Sequence, residues 1–247
     1  MALKTILNYS PNFNSKKRIS RQIKFIIFHY TGMKRESLAI NRLINIQSEV
    51  SCHYLIKNNG KIIKLVPDLY VAWHAGKSSW KNYKSLNQNS IGIEITNPGH
   101  KLGYRKFSKK QISSLLKLSK ILIKRYKLSP KNILGHSDIA PERKKDPGEK
   151  FPWKYLNQKK IGLWHSVKKQ ELIENRMIKI SKTDKESFFN NLFKIGYSKK
   201  SSKNINQNRY LKYLTKAFQR RFRQELIDGK IDRECLLISA NIIKIYN

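Results

Sequence analysis

Two histidines that close apolar runs are the first sign of chemistry in this chain. His29 ends Lys24-Phe-Ile-Ile-Phe-His29, and His136 follows Asn132-Ile-Leu-Gly135. Each run has the continuous apolar character of a buried strand. The ends of strands on one edge of an α/β sheet are where sites form. After His136 the chain is broken by Pro141, Pro147 and Gly148, so it reads as a shaped loop and not as a helix or strand. That loop carries Asp138, Asp146 and the basic run Arg143-Lys144-Lys145. Two imidazoles from strand ends and one carboxylate from the loop make a three-ligand zinc site with a fourth position free for water, which is the catalytic pattern. Spacing alone leaves either Asp138 or Asp146 as the third ligand, and Asp138, so close to His136, has turn capping as its plain structural role.

Such groups need elements to position them. Ser90-Ile-Gly-Ile-Glu-Ile-Thr96 reads as a strand with Ile91, Ile93 and Ile95 on one face and Glu94 on the other. On the residues alone Glu94 is a solvated strand position. Val50–Lys57 and Lys61–Val66 flank Asn58-Asn59-Gly60, a hairpin signal. Glu36–Gln47 fits a short helix. Ser108–Lys127 fits a longer one, with Ser108 as cap and a stripe of Ile112, Leu115, Leu116, Leu118, Ile121 and Leu122. Residues 1–22 read as an irregular arm. The loop between Pro67 and Asn89 holds Ala72-Trp-His-Ala-Gly76 and Trp80, unusually aromatic for a passive connection. Strands interleaved with helices and one hairpin predict an α/β fold: a mixed central β-sheet flanked by helices. The aromatic segment Phe151–Trp164 closes this first unit at residue 165. Residues 166–184 are charged and read as a linker or peripheral helix. Residues 185–247 carry three helical patterns, around Phe188–Ile195, Tyr210–Phe222 and Glu234–Tyr246, with a polar loop over Ser198–Asn208 and a turn at Asp228-Gly229. They predict a small C-terminal three-helix domain.

The 247 residues suffice for one ordinary domain and a small second one. No run of about 18 apolar residues exists, and no secretory signal is visible at the N-terminus. Both point to a cytoplasmic protein, with an envelope location as the alternative. Cys52 and Cys235 form no disulfide framework. The net charge of +36 would attract nucleic acid or an anionic cell-wall polymer. It also fits a composition that places Lys wherever a surface residue is tolerated. The basic residues are spread along the whole chain without an RNP-like or zinc-finger pattern, which predicts no specific nucleic-acid partner.

Five blocks occur in an order that is informative together: Phe28-His-Tyr-Thr31, Ser51-Cys-His-Tyr-Leu-Ile56, Ala72-Trp-His-Ala-Gly76, Ser90-Ile-Gly-Ile-Glu94 and Gly135-His-Ser-Asp-Ile-Ala-Pro-Glu-Arg-Lys-Lys-Asp-Pro-Gly148. Over about residues 20–165 the chain resembles the type-2, zinc-dependent N-acetylmuramoyl-L-alanine amidases, and in particular the bacterial members that act on anhydro-muropeptides in cell-wall recycling. The resemblance implies Zn2+ held by His29, His136 and Asp146, Glu94 as proton acceptor, and Lys144 as the group that steadies the transition state. It further suggests Tyr30, Trp73, His74, Asn97 and Arg143 as contacts to a peptidoglycan or muropeptide substrate. Cys52 stands where phage-type relatives carry Tyr, and Glu94 stands where they lack an acid. Both features resemble the recycling type. Ala217-Phe-Gln-Arg-Arg-Phe222 followed by Asp228-Gly-Lys-Ile-Asp232 resembles a three-helix peptidoglycan-binding domain, with Cys235 where threonine is usual. The expected reaction is hydrolysis of the amide between N-acetylmuramic acid and L-alanine. A non-catalytic peptidoglycan-recognition protein is the alternative, set against by the intact ligand triad.

Overall fold

The computed structural model describes residues 4–201 and 205–246. Residues 1–3 of the predicted arm, 202–204 of the predicted Ser198–Asn208 loop, and Asn247 lie outside the described residues. In chain order the elements are β1 (Thr5–Leu7), β2 (Phe13–Asn14), β3 (Phe25–Tyr30), α1 (Glu36–Ile44), β4 (Tyr54–Ile56), β5 (Ile62–Lys64), β6 (Val71–Ala72), β7 (Ser79–Trp80), β8 (Tyr83–Lys84), β9 (Ser90–Ile95), α2 (Lys109–Tyr126), β10 (Ile133–Gly135), α3 (His136–Ile139), α4 (Trp153–Gln158), α5 (Lys169–Asn175), α6 (Lys182–Ile195), α7 (Gln207–Phe222) and α8 (Arg233–Tyr246).

The central sheet has the order β1-β5-β4-β9-β3-β10. All its neighbours run parallel except the β4–β5 hairpin, so the sheet is mixed, as expected. β3 and β9 lie inside it. Phe25, Ile26, Ile27 and Phe28 are all buried, as a parallel strand covered on both faces requires. The two faces are covered differently. Ile26, Phe28, Ile91, Ile93 and Ile95 pack against Ile112, Leu115, Leu118 and Leu122 of α2. Phe25 and Ile27 point to the other face and share one apolar cluster with Phe188 and Leu192 of α6, Leu214 and Phe218 of α7, and Ile238 of α8. The C-terminal helices therefore complete the core beneath one face of the sheet.

Local signals account for the boundaries. The Ser108 hydroxyl accepts the Gln111 N–H at 3.1 Å and Gln111 Oε1 accepts the Ser108 N–H at 2.9 Å, a reciprocal cap that starts α2. Ser181 caps α6 through the Asp184 N–H at 3.1 Å. Three expectations need correction. The N-terminal arm contains β1 and β2, which gain their hydrogen bonds only by pairing with β5 and β6. The Pro67–Asn89 loop contains β6, β7, β8 and a 3₁₀ turn over Leu86–Asn89. The loop after β10 begins with one helical turn, α3, before Pro141 stops it. β1, β2 and β6 are ordered by partners distant in sequence, whereas β7–β8 and α3 are closed locally.

α6 ends at Gly196, whose φ of 139° lies outside the range open to side-chain-bearing residues. A Cβ there would stand 2.4 Å from Trp80, so the indole of β7 rests directly on the helix end. Gly196→Ala is expected to lower stability by about 2–4 kcal/mol through backbone strain and overpacking together. Urea denaturation at equilibrium checks it; a change within about 0.5 kcal/mol would contradict this packing.

Candidate metal centre and catalytic cleft

The sheet delivers three groups to one place. His29 and Glu94 are direct partners in the parallel β3–β9 ladder, and so face the same side. Gly135 pairs with Phe28, which brings His136, the next residue, beside His29. Asp146 returns from the loop to meet them. His29 Nδ1 lies 2.9 Å from His136 Nδ1 and 3.1 Å from Asp146 Oδ2, and His136 Nδ1 lies 3.0 Å from the same oxygen. All three residues are buried. Between the two aspartates left open by spacing, the structure brings Asp146 into the cluster. Asp138 instead accepts the Gly135 N–H at 2.7 Å, the capping role.

The far nitrogens of both rings have partners that settle the tautomers. His136 Nε2 lies 3.2 Å from the Ala75 carbonyl oxygen, which can only accept, so Nε2 carries the hydrogen. His29 Nε2 lies 3.0 Å from His74 Nδ1, His74 Nε2 lies 3.2 Å from Ser90 Oγ, and that hydroxyl donates to Leu86 O at 2.6 Å. Read from the Leu86 carbonyl backwards, His74 donates to Ser90 and His29 donates to His74. Both Nδ1 atoms then carry lone pairs. Three acceptors within about 3 Å of one another repel unless a cation lies among them. Neighbouring donors around a tetrahedral zinc are about 3.3 Å apart, and two imidazoles with one carboxylate are a catalytic zinc donor set. The residues fit the metal.

Protonation agrees. Burial, then His136, brings His29 from 6.5 down to about 4. Burial also lowers His136. Neutral imidazoles and an ionised carboxylate are the forms that bind metal.

Glu94 is different. Its Oε2 is buried with no hydrogen-bond partner, and it lines the same cleft, of about 490 Å³. Burial raises this carboxyl from 4.5 to about 8, Asp146 adds to the rise and Lys144 opposes it. Lys144 also lines the cleft. On β9, Ser90, Gly92 and Glu94 occupy alternate positions on one face. Ser90 holds His74. Gly92 leaves room for the His74 ring, since a Cβ there would meet it at 2.4 Å. Glu94 faces the cleft.

Other expected residues divide. Tyr30, Trp73, His74 and Arg143 line the cleft. Tyr30 is held by His100, whose Nδ1 lies 2.9 Å from the phenol oxygen, and Trp73 Nε1 donates to Asn14 Oδ1 at 2.6 Å. Arg143 is occupied with backbone: its guanidinium donates to Ala75 O and, at 2.7 Å, to Lys77 O. Asn97 is not at the cleft wall; its side chain organises a turn by accepting the Gly99 N–H at 3.0 Å and donating to Arg105 O at 2.8 Å. Cys52 is buried among Leu43, Leu55, Ile63 and Leu65. Residues not anticipated from sequence are Ser90, His100 and Asn87, whose Oδ1 accepts the His74 and Ala75 N–H groups at 3.1 and 2.7 Å. His100 carried a readable signal, because it follows the turn at the end of the Glu94 strand.

A family model described as N-acetylmuramoyl-L-alanine amidase matches residues 19–149. The N-acetylmuramoyl-L-alanine amidase AmiD of Escherichia coli is 35% identical over 237 residues, covering 91% of this chain and 84% of that protein. The 1,6-anhydro-N-acetylmuramyl-L-alanine amidase AmpD of Haemophilus influenzae is 31% identical, covering 61% of this chain and 90% of that one. Among solved structures, the complex of E. coli AmiD with anhydro-N-acetylmuramic acid-L-Ala-D-gamma-Glu-L-Lys superposes with a TM-score of 0.78, covering 91% of this chain and 90% of that chain. Pseudomonas aeruginosa AmpDh3 in complex with anhydromuramic pentapeptide gives 0.79 at 29% identity, with 96% and 97% covered.

Glu94 carries a stability cost that can be measured on metal-free protein. Its folded-state pKa of about 8 lies above the ordinary 4.5, so the favourable contribution of the protonated form is complete below 4.5 and lost as pH rises through about 8. Glu94→Gln is expected to raise the Tm of chelator-treated protein at pH 8–9, by an amount that shrinks toward pH 4–5. Parallel wild-type and variant curves across that range would contradict the assignment.

Proposed function

This chain belongs to the N-acetylmuramoyl-L-alanine amidase family, and from that premise we propose how its cleft performs the reaction. The enzyme hydrolyses the amide bond that joins the lactyl group of N-acetylmuramic acid to L-alanine, in peptidoglycan fragments of the anhydro-muropeptide type. The observation that carries the reading is the meeting of His29 Nδ1, His136 Nδ1 and Asp146 Oδ2 beside the unpartnered Glu94 carboxylate.

His29, His136 and Asp146 would hold a zinc ion. When bound, zinc acidifies water and polarises the scissile carbonyl. The remaining steps fall to the chain. Glu94, on the β9 edge, accepts the proton of the attacking water and hands it to the departing L-alanine amine. The Lys144 ammonium faces the negative charge that develops on the carbonyl oxygen, worth about 2.7–4 kcal/mol where such a donor is preorganised. His74 and Ala75 O keep both imidazoles turned toward the centre. Tyr30, Trp73 and the basic groups Arg42, Lys101 and Lys145 along the cleft suit a substrate with a sugar at one end and stem-peptide carboxylates at the other.

The same reading divides the chain into a catalytic unit over 1–165, a connection over 166–184 and a helical unit over 185–247 that resembles a peptidoglycan-binding domain. The residues carrying that last resemblance hold the α7–α8 junction. Gln219 Oε1 accepts the Gly229 N–H at 2.8 Å, and Arg223 donates to Asp228 at 3.0 Å and to Asp232. No helix among the described residues is long and apolar enough to cross a membrane.

Removing metal with a chelator is expected to abolish release of free stem peptide from anhydro-N-acetylmuramyl-tripeptide, and zinc to restore it, as read by mass spectrometry. His29→Ala should lose stoichiometric zinc, whereas Glu94→Ala should keep zinc and lose turnover by roughly 10²–10⁴-fold. Equal release from chelated and zinc-restored protein would contradict the proposal.

A further inference from the structure

α7 presents two consecutive buried arginines, and both leave the helical unit for the catalytic one. Arg221 donates through Nη1 to Asp138 Oδ2 and through Nη2 to Ile133 O at 3.0 Å. Its guanidinium also lies 4.2 Å from the centre of the Trp153 ring. Tyr197, just past the end of α6, donates its hydroxyl to Asp138 Oδ1 at 3.0 Å. The same carboxylate accepts the Gly135 N–H at 2.7 Å. Asp138 is thus held from three sides, and it sits in α3, the helical turn whose first residue is His136. Arg220 makes a second, looser contact: its Nε lies 3.9 Å from Glu149 Oε2, which is 3.0 Å from His100 Nε2, and His100 holds Tyr30 on the cleft wall.

The physical question is why a buried ion pair is used here. Two elements can be joined as stably by apolar side chains, because the desolvation of both charges offsets most of their attraction. An ion pair with Asp138 adds direction. It fixes where α3 starts relative to β10, and with it where His136 Nδ1 points.

We infer that Arg221 and Tyr197 are positioning residues of the metal centre, so that the C-terminal helices set the affinity of the catalytic unit for zinc. The inference rests on the zinc reading of His29, His136 and Asp146. A purely structural role would change the stability of the metal-free protein and leave the zinc affinity of its folded form untouched.

The test is zinc binding by full-length, metal-free protein, measured by competition with a chromophoric chelator. The double variant Asp138→Asn/Arg221→Met removes both charges, keeps an acceptor for the Gly135 N–H and keeps bulk against Trp153. With folding verified by circular dichroism, it is expected to bind zinc about 10–100-fold more weakly than wild type, the range typical of lost outer support. Its cobalt-substituted visible spectrum should shift. Tyr197→Phe, which retains the ion pair, should weaken zinc binding in the same direction by less, and decides the matter if the double variant does not fold. Wild-type zinc affinity and an unshifted cobalt spectrum in the folded variants would overturn the inference while leaving the zinc reading intact. Failure of the wild-type protein to bind zinc would overturn both.

Discussion

Three lone pairs held about 3 Å apart in a buried place are the constraint on which the site depends. His29 Nδ1, His136 Nδ1 and Asp146 Oδ2 repel one another without a cation, so their convergence has to be imposed from outside. The chain imposes it three ways. β3 and β10 run side by side and end together. The far nitrogens of the two rings are tied to His74 and to Ala75 O. The turn carrying His136 is fastened through Asp138 to residues of α6–α7 and their junction.

Strand β9 shows how one segment serves core and chemistry at once. Its odd positions, Ile91, Ile93 and Ile95, anchor α2 on one face. Its even positions, Ser90, Gly92 and Glu94, orient His74, accommodate it and supply the unpartnered carboxylate. The alternation of a strand separates the two tasks without a compromise at either. Glu94 Oε2 is one of the few buried polar atoms without a hydrogen-bond partner among the described residues. Burial raises the pKa of this carboxyl and costs folding stability.

The sequence made the scaffold readable where signals were local. The apolar runs of β3 and β9, the hairpin at Asn58-Asn59-Gly60 and the capped stripe of α2 all follow from neighbours a few residues apart. β1, β2 and β6 were not readable, because each is two or three residues long and exists only through a distant partner; β7 and β8 pair with each other across a tight turn but are only two residues each. At the site, strand-end placement pointed to His29 and His136, and the order of the five motifs pointed to Asp146 over Asp138. What stayed hidden was the support. Ser90 and Asn87 are small polar residues in unremarkable contexts. Arg221 lies 83 positions from Asp138, and the Ala217–Phe222 motif that contains it carries no sign of that pairing. Its burial against Trp153 depends on tertiary packing that no local pattern encodes.

The most direct test of the account is the X-ray absorption spectrum of the zinc-loaded, full-length protein. It predicts nitrogen and oxygen scatterers only, with the outer-shell signature of two imidazoles, and loss of one imidazole in the Asn variant of His29. A sulfur scatterer from Cys52 or Cys235, or a spectrum with no imidazole signature, would contradict it.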